Sequence, residues 1–281
     1  MTERIVMANG VEICTEPFGD PSEPAVLLIM GLAGSMVWWD ETFCTMLANH
    51  GRFVIRYDQR DTGRSVTYDV GRPGYTGADL VADAAGVLDG YAVPAAHVVG
   101  VSAGGALAQV LALDRPDRVR SLVLISTSSV LGDDRTPLPG PADELNRFWE
   151  APPPDWVDRG AVVDYLAAYQ RVLAGGRRPF DERYARDIVR RDVERARRYP
   201  SVQNHELIDG AEPRSGLSAI AAPTLVVHGT ADPLFPVEHG EALASAIPDT
   251  RLLLLDGAGH GVEPADWEPL AAAIADHTAR L

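Results

Sequence analysis

Apolar and polar positions along this chain change period several times, and the changes mark its elements. Residues 4–7 and 11–18 alternate on either side of Asn9-Gly10. Asn-Gly between two alternating runs predicts a β-hairpin. From 25 to 30 every residue is apolar, as in a strand buried on both faces. A glycine-rich loop, Gly31-Leu32-Ala33-Gly34-Ser35, follows, and then a helix over about 38–49 with Phe43, Met46 and Leu47 on one side. Residues 52–57 read as a strand, and Leu80, Val81, Ala84, Ala85 and Leu88 mark one face of a helix. Val98 and Val99 lead into a second glycine-rich turn and an alanine-rich helix, and 119–125 is a strand again. Alternating strands and helices, with strands apolar on both faces, imply a mostly parallel sheet covered by helices on both sides. Right-handed crossovers place the carboxyl ends of such strands along one edge, where ligands bind.

The alternation stops between 131 and 216. Prolines gather at 137, 139, 141 and 152–154, and the segments beyond them are helical, 162–173 and 182–199. The second carries Ala185, Ile188, Val189, Val193 and Ala196 on one face and Arg, Asp and Glu elsewhere, a solvated surface. The β/α pattern returns with strands at 224–229 and 250–255 and helices at 237–246 and 267–281. The expected organisation is therefore one α/β core in two parts, 1–130 and 217–281. A helical cap, 131–216, is inserted after the sixth strand, over the ligand edge of the sheet. Inserts of this length are usually functional.

The glycine-rich turn after Val99 reads Gly100-Val101-Ser102-Ala103-Gly104. A G-x-S-x-G run between strand and helix puts the serine on a sharp turn with its hydroxyl presented at the sheet edge. A dinucleotide-binding turn has the same strand-to-helix context but requires G-x-G-x-x-G, which is absent. A serine hydroxyl needs a base, and the base needs an orienting carboxylate. In this topology the order is serine, acid, histidine. Asp232 lies just past the strand at 224–229 and His260 just past the strand at 250–255, between Gly259 and Gly261. His228 is the rival base, at a strand end but directed into packing. Asp256, Asp133 and Asp134 are rival acids in neighbouring loops. His50, His97, His205, His239 and His277 read as surface or structural histidines. The oxyanion donors expected are the N–H groups of Ala103, next to the nucleophile, and Leu32, in the loop after the third strand. Trp38 and Trp39, near the mouth, and Val101, beside the nucleophile, are candidate substrate-binding residues, with aromatic core packing an equal alternative for the two tryptophans. The stretch from Asp58 to Ser65, with Arg60 and Gly63, reads as a turn fixed by its own charge-assisted hydrogen bonds.

Composition narrows the class without choosing the substrate. The chain has 281 residues, 46% hydrophobic and 23% charged, with a net charge of −15. That charge disfavours nucleic acid and anionic membranes as partners. Cys14 and Cys44 form no disulfide framework or metal-ligand spacing. The first residues, Met1-Thr2-Glu3-Arg4, carry no signal-peptide pattern, so a cytoplasmic protein is expected. No metal or other cofactor is implied, and the oligomeric state is left open.

Met30-Gly31-Leu32, the run from Tyr57 to Ser65, Gly100 to Gly104, and Asp232 with His260 are four separated motifs in one order. In these the sequence resembles the serine esterase branch of the α/β-hydrolase superfamily, from Val11 to the C-terminus. Arg4-Ile5-Val6, Val54-Ile55-Arg56-Tyr57-Asp58, Val87-Leu88-Asp89-Gly90 and His97-Val98-Val99-Gly100 are most similar to aclacinomycin methylesterase-type enzymes, which cleave a methyl ester on an anthracycline polyketide. Leu32 stands where that type carries glycine, and Met30 where many members of the superfamily carry histidine. The resemblance implies an α/β-hydrolase fold and a carboxylic-ester hydrolase acting on a small molecule through Ser102, Asp232 and His260. Lactonase, amidase, carbon–carbon bond hydrolase and perhydrolase activities use the same triad, and a non-hydrolytic protein on the same fold is the other alternative.

Overall fold

The computed structural model describes residues 2–131 and 137–279. Its eight strands are β1 (Arg4–Ala8), β2 (Val11–Phe18), β3 (Ala25–Ile29), β4 (Phe53–Tyr57), β5 (Ala96–Val101), β6 (Val119–Ile125), β7 (Thr224–Gly229) and β8 (Thr250–Leu255). They form one sheet in the order β1-β2-β4-β3-β5-β6-β7-β8. β2 pairs antiparallel with β1 and β4, and the remaining neighbours are parallel. The hairpin turns as its sequence requires: Asn9 and Gly10 both have positive φ, 47° and 77°, which suits a primed two-residue turn. β3, β4, β5 and β7 are buried along their whole length, which explains their unbroken apolar character.

The helices are α1 (Glu41–Asn49), α2 (Gly77–Gly90), α3 (Ala103–Asp114), α4 (Asp143–Glu150), α5 (Arg159–Leu173), α6 (Glu182–Arg195), α7 (Glu238–Ala246) and α8 (Trp267–Thr278). α2, α3 and α7 cover one face of the sheet, and α1 and α8 cover the other. The helix expected over 38–49 is shorter. Asp40 caps α1 by accepting the Thr42 N–H at 2.8 Å, and Met36–Trp38 form a separate 3₁₀ turn. Both tryptophans therefore precede the helix.

The chain between β6 and β7 contains α4, α5, α6 and a 3₁₀ stretch, Tyr199–Glu206. α4, confined between the two proline groups, has no counterpart in the expected pattern. α6 stops at Arg195, short of 199, because Ala196 turns to extended backbone (φ −65°, ψ 136°). This insert has an apolar cluster of its own, with Val162, Ile188, Val189, Val193, Tyr199 and Val202, which includes Val37 from the loop after β3. Polar contacts bind it to the core. Arg195 reaches Asp58 at 2.8 Å and Glu3 at 2.8 Å, and Asp192 accepts the Trp38 indole N–H at 2.8 Å. Asp58 also accepts the Arg64 N–H, at 2.8 Å, so part of the turn-fixing expected of it is observed. Arg60 works outside the turn, in a bidentate pair with Asp83 of α2 at 2.7 and 2.8 Å.

His97 on β5 gives the fold a pH dependence. Its Nδ1 lies 2.8 Å from Ser121 Oγ, and burial pushes its pKa down to about 4 from 6.5. Between those values the unfolded chain takes up a proton that the folded ring refuses. The stability from keeping His97 neutral is complete above pH 6.5, is lost as pH falls towards 4, and changes no further below. His97→Asn should flatten the fall in urea midpoint over this window by the equivalent of about one proton. An unchanged slope would exclude His97 as its source.

Candidate active site

β3 lies between β4 and β5, so the chain reverses its direction of travel across the sheet there. In α/β sheets ligands bind at such a reversal, outside the carboxyl ends of the strands, here β3 and β5. The loop after β3 and Ser102 after β5 meet there. Ser102 opens α3 with φ 54° and ψ −125°, a strained conformation for a residue with a Cβ. Its backbone is fixed on every side. The N–H donates to Ile125 O at 2.9 Å, and the C=O accepts from Gly105 N–H at 2.8 Å and Thr127 Oγ1 at 2.7 Å. The flanking glycines are required by space. A Cβ at Gly100 would stand 2.3 Å from Gly104 O, and one at Gly104 would stand 2.4 Å from Ile29 O. Strand, turn and helix can pass this closely only without side chains.

His260 and Asp232 meet at the ends of β8 and β7. His260 Nδ1 donates to Asp232 Oδ2 at 2.8 Å, with both residues buried. Asp232 Oδ1 accepts the N–H groups of Leu234 and Phe235, each at 2.9 Å. One carboxylate oxygen is thus held by backbone, and the other is turned to the imidazole. This arrangement fixes the tautomer with the proton on Nδ1 and leaves Nε2 with its lone pair. Phe235 sets its ring edge-to-face with His260, the centroids 5.7 Å apart. Gly261 N–H donates to Ser126 Oγ at 3.4 Å, one residue beyond the Ile125 carbonyl that holds Ser102. The histidine loop and the serine turn therefore converge on the end of β6. Among the described residues Ser102 Oγ makes no hydrogen bond, to His260 or to any other group. Such bonds often close only when substrate binds.

The loop after β3 passes against the serine: a Cβ on Gly31 would stand 3.7 Å from Ser102 Oγ. Among the described residues the N–H groups of Leu32 and Ala103 have no acceptor, as oxyanion donors require. Gln59 Nε2 donates to Met30 O at 2.7 Å, and Ala33 N–H donates to His205 Nδ1 at 3.1 Å. The histidine loop is tied as well. His260 N–H donates to Leu173 O, at the end of α5, at 2.7 Å. Arg178 of the insert pairs with Asp266 at 2.6 Å and donates to Asp256 O. The Gln59, Leu173 and His205 contacts leave no local trace in the sequence, because each joins segments far apart in the chain.

The other candidates are placed as follows. His228 is fully buried, with Nε2 2.7 Å from Phe235 O and 3.6 Å from Asp232 Oδ2, and burial lowers its pKa. It supports the acid loop from behind. His97, His205, His239 and His277 are buried and hydrogen-bonded. Asp256 lies beside Thr230 in the turn after β8, and Asp133 and Asp134 fall outside the described residues. The pocket role expected of Trp39 and Val101 is not what the structure shows. Both are 1% exposed within the core beneath α1 and α8, and Trp39 stacks on Phe43. Trp38 instead packs against the insert and donates to Asp192.

A cleft of about 700 Å³ opens elsewhere, between the β1–β2 hairpin and the end of α6. It is lined by Arg4, Arg64, Arg195 and Arg197, but each guanidinium already has a partner: Gly90 O, Glu3, Asp58 with Glu3, and Glu12 respectively.

Residues 24–262 match the family model described as alpha/beta hydrolase fold. The chain is an α/β hydrolase. This α/β hydrolase is 34% identical over 99% of its length to the rhodomycin D methylesterase DnrP of Streptomyces peucetius, covering 98% of that protein. It is 32% identical over 95% of its length to RutD of Variovorax paradoxus, provisionally named a carbamate hydrolase, of which it covers 96%. Among solved structures, the esterase EaEST of Exiguobacterium antarcticum superposes with a TM-score of 0.78 at 21% identity, covering 99% of this α/β hydrolase and all of that chain. No helix among the described residues is long and apolar enough to cross a membrane.

Proposed function

We propose that this α/β hydrolase cleaves carboxylic esters of small molecules through Ser102, His260 and Asp232. The observation that carries the reading is the buried 2.8 Å His260–Asp232 hydrogen bond. It converges with a strained serine on the same end of β6. Ser102 Oγ attacks the acyl carbon while His260 Nε2 takes its proton. Asp232 Oδ2 stabilises the imidazolium, and the N–H groups of Leu32 and Ala103 hold the oxyanion. The tetrahedral intermediate collapses, His260 protonates the leaving alcohol, and water attacks the acyl-enzyme by the same route in reverse.

The substrate class follows the relatives. The two rhodomycin D methylesterases, 34% and 33% identical, favour a methyl ester on a polycyclic scaffold. The insert 131–216 acts as the cap that encloses it. Its aromatic row supports this. Phe148 lies 5.4 Å from Tyr169 in a stack and 5.1 Å from Tyr165. Tyr169 stands one turn before Leu173, whose carbonyl holds the histidine loop.

The deciding experiment compares methyl, ethyl and butyl esters of one aromatic acid with the matching amide, lactone and carbamate. Methyl-ester turnover should exceed the amide and carbamate by at least about tenfold in kcat/KM, a difference of about 1.4 kcal/mol in barrier. Preference for the carbamate would transfer the protein to the other relative's chemistry. Absence of turnover on every member, in folded protein, would remove the hydrolase reading.

A further inference from the structure

We propose that His205, on the insert, is a positioning residue that sets the oxyanion-binding peptide of the core. The proposal rests on the esterase reading above, because it gives that peptide a purpose.

The geometry determines the state of the ring. Nε2 lies 2.7 Å from Arg60 O, and a carbonyl only accepts, so Nε2 carries the hydrogen. Nδ1 lies 3.1 Å from Ala33 N, and a backbone N–H only donates, so Nδ1 carries the lone pair. The neutral Nε2–H tautomer satisfies both neighbours, and the other tautomer satisfies neither. The ring is 5% exposed, with Tyr75 edge-to-face at 6.3 Å, so no water replaces a lost partner cheaply.

What the ring holds gives it a role. The loop contains three consecutive peptide planes, Met30–Gly31, Gly31–Leu32 and Leu32–Ala33. The middle plane carries the Leu32 N–H, the proposed oxyanion donor. The first is fixed by Gln59 through Met30 O, and the third by His205 through the Ala33 N–H. The donor plane is thus oriented by a tie on each side. One of these crosses 172 residues of sequence to the insert. Ala33 sits at φ 60°, the left-handed region that a side-chain-bearing residue enters only when held. Releasing its N–H removes one of the restraints that hold it, and the donor plane is freed to rotate.

Two isosteric substitutions separate this role from simple packing. In His205→Asn the amide oxygen stands where Nδ1 stands, so it accepts from Ala33 but abandons Arg60. In His205→Gln the amide N–H stands where Nε2–H stands, so it donates to Arg60 but abandons Ala33. The measurements are kcat and KM for a p-nitrophenyl ester, the inhibition constant of phenylboronic acid, and the urea midpoint. The boronate adduct on the serine places an oxyanion in the same hole.

Expected is a kcat roughly tenfold or more lower in His205→Gln and His205→Ala. That falls short of the 10²- to 10³-fold cost of losing a donor outright. KM should stay within about twofold and boronate affinity should fall by the same factor as kcat, while His205→Asn stays near wild type. Equal losses in the Asn and Gln variants would overturn the proposal and leave His205 a packing residue. So would wild-type kcat in His205→Gln. If His205→Ala fails to fold, the Asn–Gln contrast decides alone. Ser102→Ala is the parallel control. Turnover and boronate binding that survive it remove the esterase reading and this proposal together. Ser102-dependent turnover that ignores His205 removes only the proposal.

Discussion

Replacing Ser102 by alanine is expected to lower kcat for a carboxylic ester by roughly 10⁴-fold or more, with the fold intact. Loss of the hydroxyl removes the only group at this turn able to form an acyl-enzyme. It removes nothing that the fold uses, since the Ser102 contacts to Ile125, Gly105 and Thr127 all run through its backbone. Alanine tolerates φ 54° no better and no worse than serine, so the unfolding free energy from urea titration should stay within about 0.5 kcal/mol of wild type. The check pairs steady-state kinetics with intact mass after a fluorophosphonate: one adduct on wild type, none on the variant. Wild-type turnover by the variant would place the nucleophile elsewhere.

The second large effect is expected from Asp232→Asn, a loss of about 10⁴-fold in kcat. The direction follows from what surrounds the carboxylate. Leu234 and Phe235 N–H groups already claim Oδ1, so the carbonyl oxygen of an asparagine must take that side. Its NH₂ is then forced towards His260 Nδ1. A donor facing Nδ1 demands the lone pair there and drives the ring proton to Nε2. From Nε2 a protonated imidazole cannot accept the serine proton. Substrate binding is untouched, so KM should change little. The loss should shrink at high pH, where the serine ionises without a base. Activity within about tenfold of wild type at neutral pH would mean that His260 takes its orientation from another group.

The strands were legible because each one's burial is written in its own residues. A run such as Ala25 to Ile29, short, wholly apolar and bounded by turn residues, suits the middle of a sheet. The strained serine turn was legible for a related reason: Gly100 and Gly104 are demanded by contacts a few residues away and mark the site locally. The pairing of Asp232 with His260 was legible from their positions after successive strands, once the sheet edge had been inferred. The start of α1 was placed too early because amphipathic periodicity does not show where a helix begins. Asp40 caps α1 after both tryptophans, and Trp39 lies in the core. α4 escaped because eight residues between proline groups carry too few turns to show a period. His205 had no local signal at all, since its meaning lies in Ala33 and Arg60, both more than 140 positions away.

The insert also supports loops of the core. Leu173 O receives the backbone N–H of His260, Gly175 leaves no room for a Cβ against Ala231 O, and His205 receives Ala33. Residues 173–178 and 204–205 thus lie inside the 131–216 segment but hold loops of the core. A chimera that exchanges the whole segment with a relative's would inherit foreign supports for both the His260 loop and the loop after β3. α4 and the first turns of α5 lie upstream of those supports. Directed libraries confined to that stretch should retain activity far more often than wholesale transplants.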